Sequence, residues 1–177
     1  MLSNRYLILS VFFSLLVFSQ VSAFSGDFSV TSSGNTPSIE KRKSIITTLL
    51  GHYATIFPYK TLSIFIDERL IEPRGKIYWS KISLSSRVLR DGEFIKLFVH
   101  EFGHYVDLYV LFPVAWKDSS DDFYRISWKD TTVKKASEWI SSFVSWYAAT
   151  NKYEDFAESF TFYIFHNTYF ADKALKN

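Results

Sequence analysis

The sequence contains no cysteine, so no disulfide can staple the chain, and an apolar core, with or without a metal ion, must hold it together. It also lacks an excess of charge of either sign. With 20 Lys and Arg against 18 Asp and Glu, the formal net charge is +2. A nucleic-acid partner would call for a basic face, and none is indicated. Long apolar runs are missing as well: residues 7–18 form a run that falls short of the roughly 20 residues a membrane-spanning helix requires.

That short run follows Arg5 and precedes Val21-Ser22-Ala23, small residues at the spacing of a cleavage site. Residues 1–23 therefore read as a secretory signal peptide cut after Ala23. The mature chain is expected to be secreted or periplasmic, with no stable membrane span. Cleavage removes only Arg5 among the charged residues, so the charge balance survives it.

Aromatic residues are abundant: 18 Phe, 11 Tyr and 5 Trp make up 19% of 177 residues, ample material for the core of one ordinary domain. Without a basic surface beside them, these rings do not read as base-stacking platforms. Residues 24–38 are rich in Ser, Gly and Thr and read as a flexible lead-in. The domain is expected over residues 39–177.

Apolar residues Ile39, Ile45, Ile46, Leu49, Leu50, Tyr53 and Ile56 recur at helical spacing, with Ser38 as cap and Pro58 as stop. His52 in this helix reads as an ordinary core or surface residue. Alternation at residues 61–67 and again at 76–84, around the turn Glu72-Pro73-Arg74-Gly75, predicts strands. The stretch 76–82 is the candidate edge strand, able to take an extended peptide by strand addition or simply half-buried in the sheet.

The next helix, capped by Asp91 and ending at Phe112-Pro113, carries His100-Glu101-Phe102-Gly103-His104, the pattern H-E-x-x-H. Residues four apart share a helix face, so His100 and His104 can hold one ion. Glu101 lies about 100° round the helix, which suits a base acting on metal-bound water. Ile95, Phe98, Phe102, Tyr105 and Tyr109 fall on the opposite side, and Gly103 suggests close packing.

Residues 114–132 read as a surface loop. Its acids, Asp118, Asp121, Asp122 and Asp130, lack the regular alternation of a calcium loop. Helical spacing returns over 133–149 and, behind the cap Asn151, over 152–166. In that last helix Glu154, Glu158 and Thr161 share one face and Phe156, Phe160 and Tyr163 the other. A catalytic zinc takes three protein donors and keeps a position for water, so two His need one more. Glu154, Glu158 and Asp107, the last on the same helix face as both His, are all candidates.

His100-Glu101-Phe102-Gly103-His104 with Asp107, followed by Tyr147 and by Glu154-Asp155-Phe156-Ala157-Glu158-Ser159-Phe160, resembles the zinc peptidase domain of anthrax toxin lethal factor and its bacterial relatives, a branch of the gluzincins. The resemblance covers residues 93–165. It implies an α+β zincin-like fold, one Zn2+ per chain held by His100, His104 and Glu154, and Glu101 as the base that activates water. It further implies that Tyr147 helps stabilise the oxyanion and that Glu158 is an acid beside a ligand histidine. Asp107 is read as a similar supporting acid. The large receptor-binding and substrate-docking parts of that toxin have no counterpart here, so its substrate is not implied.

The expectation is an exported zinc metallopeptidase acting on a peptide or protein. The alternative is a secreted binding protein that keeps the scaffold without catalysis.

Overall fold

The computed structural model describes residues 27–53, 61–88, 90–111 and 120–175. The signal peptide, the expected stops Pro58 and Phe112-Pro113, and Asp118 lie outside them, as does the side chain of His52. The element order is β1 (Asp27–Ser32), α1 (Pro37–Tyr53), β2 (Thr61–Asp67), β3 (Gly75–Tyr78), β4 (Lys81–Ser85), α2 (Asp91–Tyr105), a π-helical stretch (Val106–Leu111), α3 (Ser120–Ser127), a 3-10 turn (Ile140–Ser142) and α4 (Lys152–Leu175). This is an α+β fold, as the sequence implies, and its sheet has four strands. No helix among the described residues is long and apolar enough to cross a membrane.

The chain divides at Tyr105 into two compact units. In the first, the strand order is β1-β2-β4-β3, with β1, β2 and β4 parallel and β3 antiparallel at one edge. Leu62, Ile64 and Ile66 alternate along β2 and are wholly buried, as are Ile82 and Leu84 of β4. Ile46 and Leu50 of α1 and Phe94, Phe98 and Phe102 of α2 are buried in the same unit. Phe94 was not among the residues expected on the apolar back of α2; Phe98, Phe102 and Tyr105 were, and all three are buried.

The start of α2 is fixed by charge. Arg42, 4% exposed, donates from Nε to Asp91 (3.2 Å) and from its terminal nitrogens to the carbonyls of Ser86 (2.7 Å) and Val88 (2.5 Å). Its guanidinium also lies over the Phe94 ring, 4.7 Å from the centroid. Lys41 adds a second donor to Asp91 at 2.7 Å. The two cations hold the Asp91 carboxyl below its ordinary pKa of 3.8, the Lys41 hydrogen bond contributing most.

The lead-in expected over residues 24–38 is partly a strand. β1 pairs with β2 from Asp27↔Thr61 to Ser32↔Ile66. Its apolar residues, Phe28 and Val30, are only half-buried and stand among Ser and Thr, so composition gave little sign of it. At the opposite edge, Trp79 and Ser80 join β3 to β4 in a two-residue loop closed by the pair Tyr78↔Lys81. Trp79 has φ 54°, left-handed backbone that costs a side-chain-bearing residue about 1–2 kcal/mol.

The second unit begins where α2 passes into the π-helical stretch. The loop expected before Thr132 contains α3 instead. Asp121 and Asp122 in its first turn complement the helix dipole, while Phe123, Tyr124 and Ser127 are buried at helical spacing. The helix expected over 133–149 does not form. Ser142 Oγ accepts from the Trp139 N–H (3.3 Å) and Ser145 Oγ from the Ala148 N–H (3.0 Å), local bonds that compete with a helix ladder. Trp128, Phe143, Ala148 and Ala149 pack together there, and a bridge pairs Trp128 with Lys134. α4 begins where the sequence places it and runs on to Leu175, with non-helical backbone at His166.

Candidate metal centre

Helix α2 carries His100, Glu101 and His104 in one continuous α-helical stretch. The two imidazoles lie one turn apart on one helix face, as the i, i+4 spacing requires, edge to face with ring centres 4.9 Å from each other and planes at 88°. His104 and Glu101 are buried and His100 is half-buried. Gly75, the first residue of β3, faces Glu101 so closely that a Cβ there would overlap its carboxylate. The sequence marks Gly75 only as the last residue of the turn Glu72-Pro73-Arg74-Gly75 and gives no sign of its approach to Glu101.

Asp107 lies beyond the α-helical part, in the π-helical stretch, and is 2% exposed. The Tyr124 hydroxyl donates to its Oδ2 at 2.5 Å, and Ser120 Oγ donates to its backbone carbonyl at 3.4 Å. Single turns of π-helix occur often at functional sites.

Glu154 sits in the first turn of α4. Asn151 Oδ1 accepts from the backbone N–H groups of Tyr153 and Glu154, each at 3.0 Å, which fixes where the helix starts and hence where Glu154 stands. The neighbouring Asp155 is 1% exposed and accepts from Trp128 Nε1 (2.9 Å) and Ser159 Oγ (3.3 Å). The one sequence signal of this anchor is that Asp155 and Ser159 stand four apart on the buried side of α4. Glu158 Oε2 accepts from Ser145 Oγ at 2.6 Å. Tyr147 is 40% exposed in the turn before α4, its ring edge-on to Trp146 at 5.7 Å.

Among the described residues, one group of three His, Asp or Glu side chains is arranged to hold an ion: His100, His104 and Glu154 each offer a ligand atom, and these atoms lie within 4.8 Å of one another. Two imidazoles and a carboxylate are a donor set suited to zinc with a coordination position left over for water.

Residues 85–177, more than half of the chain, match the family described as "Putative zinc-binding metallo-peptidase". The chain belongs to this zinc-binding metallopeptidase family. The matched span covers every residue singled out above for the metal centre except Gly75. No curated protein matches the chain, and no solved structure does.

Proposed function

We propose that the protein is an exported, zinc-dependent peptidase of the H-E-x-x-H type, in which His100, His104 and Glu154 hold the metal and Glu101 is the general base. The observation that carries this reading is the triad of donor atoms within 4.8 Å, with Glu101 following His100 in the same helix. Bound zinc would supply Lewis-acid polarisation of the scissile carbonyl and a more acidic water.

The chain's own residues do the rest. Glu101 takes a proton from the attacking water on a carboxylate oxygen and returns it to the leaving amine nitrogen. The Tyr147 hydroxyl donates to the oxygen on which negative charge develops. Glu158 and Asp107 act through neighbours, accepting hydrogen bonds that fix the ring or backbone of a ligand. Ser145 and Tyr124, which donate to these two carboxylates, limit the orientations each can take.

The resemblance to the lethal factor peptidase domain supports Glu154, rather than Glu158 or Asp107, as the third ligand. The substrate is a peptide or protein met outside the cytoplasm, in keeping with the signal-peptide pattern of residues 1–23. The test is metal content by elemental analysis. Wild type and Glu158→Gln should carry about one zinc per chain, whereas Glu154→Gln should carry far less. Full zinc in Glu154→Gln would remove Glu154 from the ligand set.

A further inference from the structure

The two ends of β3 differ in character. At one end Gly75 abuts the Glu101 carboxylate. At the other, Tyr78 and Trp79 are 74% and 69% exposed, their rings edge to face 6.1 Å apart. Gly75 and Trp79 are four residues apart, so about 13 Å of strand separates the candidate base from the aromatic pair.

The outer edge of β3 has backbone groups to offer. Ser85 N–H donates to the Arg74 carbonyl at 2.7 Å, and directly opposed pairs in an antiparallel ladder alternate between bonded and non-bonded. Arg74, Lys76 and Tyr78 therefore turn toward β4, while Gly75 and Ile77 direct their N–H and C=O groups outward. β3 is an edge strand among the described residues, and an extended peptide pairs with such outward groups.

Trp79 then needs an explanation. It holds the first position of a two-residue hairpin loop with φ 54°, a place where Gly is ordinarily found. Folding gains nothing from an exposed indole in that conformation. Strained backbone that displays a large side chain at a surface points to recognition.

We propose that Tyr78 and Trp79 form a subsite for an aromatic or large aliphatic side chain of a peptide paired along β3, three or four residues from the bond cleaved by the water that Glu101 activates. This rests on the peptidase reading of Glu101. The backbone of such a peptide advances at the same rate as β3, so its register at Gly75 sets which side chain reaches the rings. Two adjacent, edge-on aromatic faces give a rigid apolar contact at low cost in conformational freedom.

The experiment is cleavage-site profiling of the zinc-loaded full chain on a randomised peptide library, comparing wild type with Trp79→Gly and Tyr78→Ser. Wild type should enrich aromatic or large aliphatic residues three or four positions from the cut. Both variants should lose that enrichment and keep the rest of the profile, with KM for a peptide bearing Phe at that position raised about tenfold and kcat retained, as loss of one aromatic contact implies. The melting temperature of Trp79→Gly should stay level or rise. An unchanged profile in both variants overturns the subsite.

If wild type cleaves no library member, the same library is passed over immobilised wild type and Trp79→Gly. Retention of aromatic peptides by wild type alone keeps the subsite and discards hydrolysis. Equal retention discards the subsite.

Discussion

Gly75 in β3 lies where any side chain would collide with the carboxylate of Glu101 in α2. The backbone of Gly75 is not in the left-handed region, so alanine is conformationally acceptable there and the collision is the whole effect. Gly75→Ala should displace the Glu101 carboxylate and lower kcat on a peptide by about tenfold or more, because proton transfer needs the base within hydrogen-bond reach. Zinc content should stay at the wild-type level. Wild-type kcat in Gly75→Ala would show that Glu101 does not depend on this contact.

The anchor at the start of α4 predicts a stability effect. Trp128→Phe removes the indole N–H that Asp155 accepts and leaves a buried carboxylate with one donor fewer. A loss of about 2 kcal/mol in urea unfolding is expected, in the range for an unmade bond to a buried charged group. Since Asp155 adjoins Glu154, the variant should also bind zinc more weakly in competition with a chelator. A variant as stable as wild type would mean that the bond contributes little.

Asp91 links α1 to the first turn of the motif helix. Its carboxyl is held below its ordinary pKa by Lys41 and Arg42. A group with a depressed folded pKa contributes stability that is fully present above its unfolded value and is lost as pH falls through the folded one. Wild type should therefore melt at a higher temperature than Asp91→Asn at neutral pH. The difference should close as the pH falls below the ordinary value of 3.8. A constant difference down to the acid limit would contradict the role given to this carboxylate.

Removing metal should destabilise the fold, because an ion held by the native donor set binds the folded chain in preference to the unfolded one. At free zinc about a thousandfold above its dissociation constant, the stabilisation is about 4 kcal/mol. Calorimetry with and without a chelator should show a clear fall in melting temperature, restored by added zinc. No shift would mean that zinc is not held by the native state.

The motif helix was legible because its evidence is local: two imidazoles and an acid at fixed helical spacing, a capping acid at Asp91 and a run of rings on the other face. Asn151 and Glu154 were legible for the same reason, since a cap fixes the first turn. β1 was not, because a Ser- and Thr-containing edge strand is defined by its partner β2 rather than by its own side chains. The stretch around Phe143 misled in the other direction: its apolar spacing suits a helix, but Ser142 and Ser145 bond the backbone locally and Trp128 packs against Phe143. Gly75 and Asp155 act on Glu101 and on the first turn of α4 from elsewhere in the chain, and no periodicity reports such a meeting.

In the proposed mechanism Glu101 moves the proton in a zinc-dependent hydrolysis. The direct test is the kcat for peptide cleavage by wild type and Glu101→Gln, each shown to carry the same zinc content. Glutamine keeps the shape and cannot accept the proton, so the variant should lose about 100-fold or more in kcat. Cleavage by the Glu101→Gln variant at the wild-type rate would exclude Glu101 as the general base.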